Sequence, residues 1–124
     1  MAVRPGNSDK GKRAYLSGLA AEDQVARLYE RHGAQVLQRR WRGPGGEIDL
    51  ILLQGDTVIF VEIKSAASHA QAAAALRPAQ MARILDSASA FLATRPLGQL
   101  TETRIDAALV DGQGQIDIIE NAFL

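Results

Sequence analysis

Apolar positions along the chain change period several times, and each change marks an element. From about Ser17, the residues Leu19, Val25, Ala26, Leu28 and Tyr29 recur at spacings of three and four, which predicts an amphipathic helix. Gly33 is placed to end it as a C-cap glycine. Val36 and Leu37 open a short strand that runs to about Trp41, and Gly43-Pro44-Gly45-Gly46 reads as a turn. Ile48 to Leu53 and Thr57 to Ile63 are β-branched, strand-like runs separated by Gln54-Gly55-Asp56, the signature of a hairpin. Ser65 to Ala75 is alanine-rich without an amphipathic stripe and reads equally as a loop or a weak helix. Pro78 suits the first turn of a second helix. The apolar face of that helix is Met81, Ile84, Leu85, Ala88, Phe91 and Leu92, and Pro96 and Gly98 end it. Arg104 to Val110 and Gln115 to Ile119 are two further strands on either side of an Asp111-Gly112 turn. Residues 1–14 are polar, with Pro5, Gly6 and Gly11, and read as a flexible N-terminal arm. Residues 15–124 then form a single domain in the order α-β-β-β-α-β-β, which predicts an α/β fold with helices packed on a sheet.

The hairpin has a readable register. If Gly55-Asp56 are the central residues, glycine in first place suits a type II′ turn. Leu50 then faces Val61, Leu52 faces Ile59 and Ile48 faces Ile63, a wholly apolar face. On the other face Asp49 lies across from Glu62 and Glu47 across from Lys64, with Ile51 and Phe60 nearer the turn. Directly opposed like charges destabilise a sheet, so two carboxylates beside an apolar patch call for a reason. A shared divalent cation is one, because Mg²⁺ and Mn²⁺ take carboxylate oxygens together with water and substrate phosphate. Lys64 projects from the same strand face as Glu62 and is placed to orient an attacking water or to stabilise charge on a phosphate. The structural alternative stands beside this: Glu47 and Lys64 form an ordinary cross-strand ion pair, while Asp49 and Glu62 diverge into solvent.

Composition narrows the chemistry. The 124 residues include no cysteine and two histidines, His32 and His69, which excludes thiolate zinc sites, iron–sulfur clusters, a cysteine nucleophile and a multi-histidine metal site. Neither a phosphate-binding glycine loop nor a serine triad is visible. No apolar run approaches the roughly 18 residues of a membrane span and no signal core precedes the first helix, so the expected location is the cytoplasm. Lys and Arg number 14 and Asp and Glu 14, but residues 1–43 carry nine against four, a net of +5, and residues 44–124 five against ten, a net of −5. Arg39, Arg40 and Arg42 flank Trp41, and arginines around an aromatic can hold phosphates and stack on a base. They can equally be charges that guard a strand edge against aggregation, with Trp41 a packing residue. His32 suits the dipole at a helix end, His69 has no visible partner, and Asp106 and Asp117 on the late strands read as structural. Zero net charge and an exposed edge are compatible with a homodimer.

The stretch Gly46-Glu47-Ile48-Asp49-Leu50-Ile51, followed by Phe60-Val61-Glu62-Ile63-Lys64, resembles the PD-(D/E)xK nuclease motif. More narrowly, the chain resembles the YraN-like family of uncharacterised bacterial proteins, over roughly residues 15–124. Gly18, Glu22, Trp41-Arg42, Arg104-Ile105-Asp106 and Ile119-Glu120-Asn121-Ala122-Phe123 fit that family's pattern. Against it, Ile48 replaces the proline of the namesake motif, Arg40 an asparagine, Ser65-Ala66-Ala67 follow Lys64 where an arginine is usual, and Gln80 replaces a basic residue. The resemblance implies a restriction-endonuclease-like fold, with a central mixed β-sheet flanked by α-helices and the hairpin in its middle. It also implies a metal-dependent endonuclease acting on DNA, including branched, Holliday-junction-like or single-stranded forms. Asp49 and Glu62 would bind Mg²⁺ or Mn²⁺, Lys64 would be the catalytic lysine, Glu22 would support the site, and Arg39, Arg40 and Arg42 would hold DNA. A non-catalytic adaptor that keeps the nuclease fold and binds nucleic acid or protein is the alternative.

Overall fold

In a computed structural model, residues 20–122 are described. The predicted N-terminal arm, the start of the first helix and Gly18 lie outside them. Helix α1, residues 20–31, buries Ala21, Val25, Ala26 and Tyr29. It ends at Gly33, whose φ of 92° is open to glycine without a Cβ penalty. Gly33 N–H bonds Glu30 O at 3.0 Å and Ala34 N–H bonds Tyr29 O at 3.1 Å, the paired bonds of a Schellman end.

Three antiparallel strands follow: β1 (Gln35–Gly43), β2 (Gly46–Gln54) and β3 (Thr57–Ser65). Helix α2 (His69–Ala74) and helix α3 (Pro78–Leu92) lead through a 3₁₀ turn at Gly98–Leu100 to β4 (Thr103–Val110) and β5 (Ile116–Ile119). The sheet order is β1-β2-β3-β4-β5, with β3 and β4 parallel and the other pairs antiparallel. The two helices between β3 and β4 are what a parallel pair requires, since parallel neighbours need a crossover. This five-stranded mixed sheet flanked by helices is consistent with a restriction-endonuclease-like fold.

Each sheet face has its own core. Leu50, Leu52, Ile59, Val61, Ala108 and Val110 pack against α1. Ile51, Val58 and Phe60 pack against Ala88, Phe91 and Leu92 of α3, with Trp41 edge-on to Phe91 at 5.4 Å between ring centroids. Trp41 is thus a packing residue. The alanine-rich segment, undecided by pattern, holds the six-residue helix α2, capped by Ser68 Oγ accepting from Gln71 N–H at 3.1 Å. Ala72 of α2 packs on Ala107 and Leu109 of β4. On α3, Leu85 is half exposed, and Ser87 takes a place in the buried stripe instead.

The predicted hairpin register holds from the turn to Leu50↔Val61, and Gly55 has the positive φ, 60°, that a type II′ turn demands. The expected continuation fails there. Ile48 was expected on the Leu50 face, yet it packs with Ile51 and Phe60 on the α3 side. The same level is irregular on β1, where Arg40 has φ 51° and drops out of the pairing between Arg39↔Leu50 and Trp41↔Ile48. Side-chain alternation breaks on both strands at the level of Arg40 and Asp49.

Candidate active site

That break is where the acidic residues gather. In a regular hairpin the Ile63 N–H would bond the carbonyl of Ile48. Here it donates to Asp49 Oδ2 at 2.8 Å. The carboxylate has replaced a rung of the ladder, which holds Asp49 beside Glu62 of β3. Glu62 is only 7% exposed and is fixed from two sides: Gln80 Nε2 of α3 donates to its Oε1 at 2.7 Å, and Lys64 Nζ lies 3.2 Å from the same atom. The predicted opposition of Glu47 and Lys64 is not an ion pair, because Lys64 turns to Glu62 on its own strand. Glu47 is exposed.

The electrostatics follow from this crowding. Burial, and next the charge of Glu62, push the Asp49 carboxyl up to about 7, against the smaller opposing effect of the Ile63 N–H; Glu22 and Glu47 push the same way as burial. Burial likewise raises Glu62, with Lys64 pulling it back. Two acids that resist being charged together are a site for a compensating cation. Among the described residues the N–H donors named above reach Asp49 Oδ2 and Glu62 Oε1, and the two carboxyls lie within hydrogen-bond reach of each other. That donor set fits a hard cation held by two carboxylates and completed by water and phosphate oxygen. Among the described residues no group of three acids or histidines is arranged to hold a metal ion.

Glu22, expected to support the site, is 8% exposed and sits on α1 close enough to raise Asp49. It accepts from Arg40 Nε at 2.9 Å. Arg39 Nη2 lies 3.6 Å from Asp23 Oδ1 of the same helix. Two of the three arginines predicted to hold DNA therefore tie α1 to the edge strand. Arg42, paired across the strands with Glu47, is exposed and makes no ion pair among the described residues.

The β1–β2 turn completes the site's wall. A Cβ on Gly45 would run into the Arg83 carbonyl oxygen, and one on Gly43 would come within 2.8 Å of Ser87. Ser87 Oγ accepts from Gly45 N–H at 3.0 Å and donates to Gly46 O at 2.8 Å, clamping the turn onto α3. Gln80 was noted in the sequence only as a replacement for a basic residue, and Ser87 was not singled out. Their signal was present: both fall in register with Ile84 and Phe91 on the buried stripe of α3, where a polar residue needs a partner.

The remaining candidates are structural. His32 Nδ1 is 2.9 Å from Leu28 O at the end of α1. His69, which had no visible partner in the sequence, has Nε2 2.9 Å from Gln115 O and 3.9 Å from Asp111 Oδ2. Asp106 is fully buried and accepts from Tyr29 Oη at 2.7 Å, Arg104 Nε and Nη2 at 2.9 and 3.0 Å, and Asn121 N–H at 3.2 Å. No described helix is long and apolar enough to cross a membrane.

The chain is similar to proteins of several bacteria along nearly its whole length. A protein of Cereibacter sphaeroides is 58% identical over 113 residues, covering 91% of this chain and 97% of its own. One from a Ruegeria species is 52% identical over 114 residues, 92% of each chain. One from Dinoroseobacter shibae is 46% identical over 112 residues, 90% of this chain and 84% of its own. All three carry the name UPF0102 protein, and the profile of the uncharacterised protein family UPF0102 matches residues 21–110. The chain belongs to this family, the YraN-like family whose motif its hairpin carries.

Proposed function

We propose that the protein is a metal-dependent nuclease that hydrolyses phosphodiester bonds of DNA. The observation that carries this reading is the Asp49–Glu62 pair: two largely buried carboxyls, held from neighbouring strands at a break in the sheet and within hydrogen-bond reach of each other. Asp49 and Glu62 would hold Mg²⁺ or Mn²⁺. Such an ion, when bound, supplies Lewis acidity toward a phosphate oxygen and a lowered water pKa.

The protein's own groups do the rest. Gln80 and Ile63 N–H fix the two carboxylates, so the pair keeps one orientation. Lys64, with its side chain 22% exposed, reaches outward from Glu62 to donate to a phosphate oxygen or to the attacking water. Water adds to phosphorus, one P–O bond breaks, and the departing oxygen takes up a proton. Glu22 stays with Arg40 and adds negative potential at Asp49. Arg42 contacts backbone phosphate.

Labelled duplex, single-stranded, flap and four-way-junction DNAs test the proposal, each incubated with Mg²⁺, Mn²⁺ or chelator and with wild type or Glu62→Gln. Metal-dependent cleavage that disappears in the variant is the expected result, and the DNA cut best names the substrate form. The pairing of Arg39 and Arg40 with α1 favours one second reading, a non-catalytic adaptor that keeps the fold. That protein would cut none of the DNAs, and its ligand binding would survive Asp49→Ala.

A further inference from the structure

Beside the carboxylates lies a polar pocket of about 160 Å³, bounded by Gly45, Gly46 and Glu47 of the β1–β2 turn, by Glu62, and by Gln80 and Arg83 of α3. We propose that this pocket seats a backbone phosphate of a nucleic-acid strand, adjacent to the bond at the carboxylates, with Arg83 as its cation. The inference rests on the nuclease reading for what lies next door and adds to it the group that positions the strand.

Four observations converge. The volume accommodates a phosphodiester group, and no aromatic ring that would stack on a base lines it. Arg83 is exposed and makes no ion pair among the described residues, whereas Arg39, Arg40, Lys64 and Arg104 each have a carboxylate partner. A guanidinium matches the oxygen geometry of phosphate in a way a lysine does not. Helix α3 starts beside the pocket with Pro78 in its first turn, no side-chain cap and no acid of its own there, so its positive end adds to the charge of Arg83. The wall is also rigid, because Ser87 clamps the turn and Gly45 touches the Arg83 backbone.

Glu47 and Glu62 line the same space and repel an anion. Binding of the strand therefore follows from a cation at the carboxylates: the pocket attracts phosphate only when the neighbouring negative charge is offset. Among the pocket's own groups, Arg83 is what makes it attractive, and Arg42, across the strands from Glu47, adds to the field.

The test is binding rather than turnover. Fluorescence anisotropy of labelled single-stranded and duplex oligonucleotides is followed across a NaCl series, with Ca²⁺ or with chelator. The proteins are the full chain as wild type, Arg83→Ala, Arg83→Lys and Glu62→Gln. Arg83→Ala should weaken binding by about tenfold, the effect of one charged contact, and should reduce the salt slope by about one contact. Arg83→Lys should restore the slope but only part of the affinity. Stabilisation of the fold by Mn²⁺ alone, read by thermal melting, should be the same in Arg83→Ala as in wild type, which shows that the metal site and the fold are intact. Equal affinity and slope in wild type and Arg83→Ala overturns the proposal, as does a wild type that binds neither oligonucleotide. Inorganic phosphate that competes fully at matched concentration also overturns it, by making the pocket a free-phosphate site. Arg83-dependent binding without cleavage of any DNA leaves the pocket standing and removes the nuclease reading instead.

Discussion

Replacing Tyr29 by phenylalanine probes the best-satisfied polar cluster in the fold. The ring of Tyr29 is 6% exposed, and its hydroxyl donates to Asp106 Oδ2 at 2.7 Å. Tyr29→Phe keeps the ring and its packing and removes one hydrogen bond to a charged acceptor, an interaction of roughly 1.5–3 kcal/mol. Asp106 keeps Arg104 and the Asn121 N–H, so the loss lies toward the lower end, about 1.5–2 kcal/mol at pH 7. Burial, the hydrogen bond to Asp106 and that residue's charge push the phenol well above its ordinary range. In the folded protein it therefore keeps its proton where the unfolded chain loses it, near pH 10. Above that pH the unfolded state binds fewer protons, and the stability contributed by Tyr29 falls by about 1.4 kcal/mol per pH unit. The wild-type advantage over Tyr29→Phe should shrink from pH 10 upward and vanish near pH ~11–11.5, by the same arithmetic. Paired urea denaturation curves from pH 7 to 11.5 measure it, since other titrating groups cancel in the difference. A gap that stays constant across that range, or no gap at pH 7, refutes the reasoning.

The other predictions concern the site. Asp49, pushed up to about 7 when folded and near 3.8 unfolded, weakens the metal-free fold as pH rises from about 4 to 7 and contributes no penalty below that window. In chelator at pH 8, Asp49→Asn should melt higher than wild type, by roughly 2–4 kcal/mol at about 1.4 kcal/mol per pKa unit, with the difference gone by pH 4. Gly45→Ala should destabilise by about 1–3 kcal/mol, because its Cβ overpacks the Arg83 backbone; an unchanged urea midpoint would show that the turn and α3 separate easily. Lys64→Ala should abolish cleavage and destabilise by about 1–3 kcal/mol, more than a surface pair, because it leaves the buried Glu62 without its cation; retained cleavage would remove Lys64 from the mechanism.

Much of this architecture is legible in the sequence because burial imposes a period. Val25 and Tyr29 of α1, Ile84 and Phe91 of α3, and the strands up to Leu50↔Val61 all follow from spacing and turn glycines. The nearness of Asp49 and Glu62 was legible in part, since the Gly55 turn brings their strands together, although the paired register stops at Leu50↔Val61. What period cannot show is where it is broken. Nothing in Arg40 or Asp49 announces that one takes a left-handed backbone and the other replaces a ladder bond with its side chain, so Ile48 was assigned to the wrong face. The partners of the arginines were hidden for a different reason. Asp23 and Glu22 sit on a helix 16 or more residues away in sequence from Arg39 and Arg40, and only tertiary packing brings them together. Helix α2 escaped because an alanine run has propensity without an apolar stripe, and its cap is a single serine.

The broken alternation explains how so apolar a sheet tolerates two adjacent acids. A non-glycine residue at positive φ costs on the order of 1–3 kcal/mol, and a lost ladder bond about 1 kcal/mol more. Both are offset locally. The turn in β1 at Arg40 sends Trp41 against Phe91 and lets the Arg40 guanidinium reach Glu22. The matching turn in β2 sends Ile48, 1% exposed, into the α3-side core, while the Asp49 carboxylate satisfies the N–H of Ile63. Below this level the hairpin is regular and apolar as far as Leu53 and Val58, and Leu50, Leu52, Ile59, Phe60 and Val61 are fully buried. That block holds the strands in place whatever the charge state above it. The site is thus placed at a level where the sheet bends without exposing its core, and the energy needed to hold Asp49 and Glu62 together is offset by the packing of Ile48 and Trp41 and by the Arg40–Glu22 pair that the bend allows.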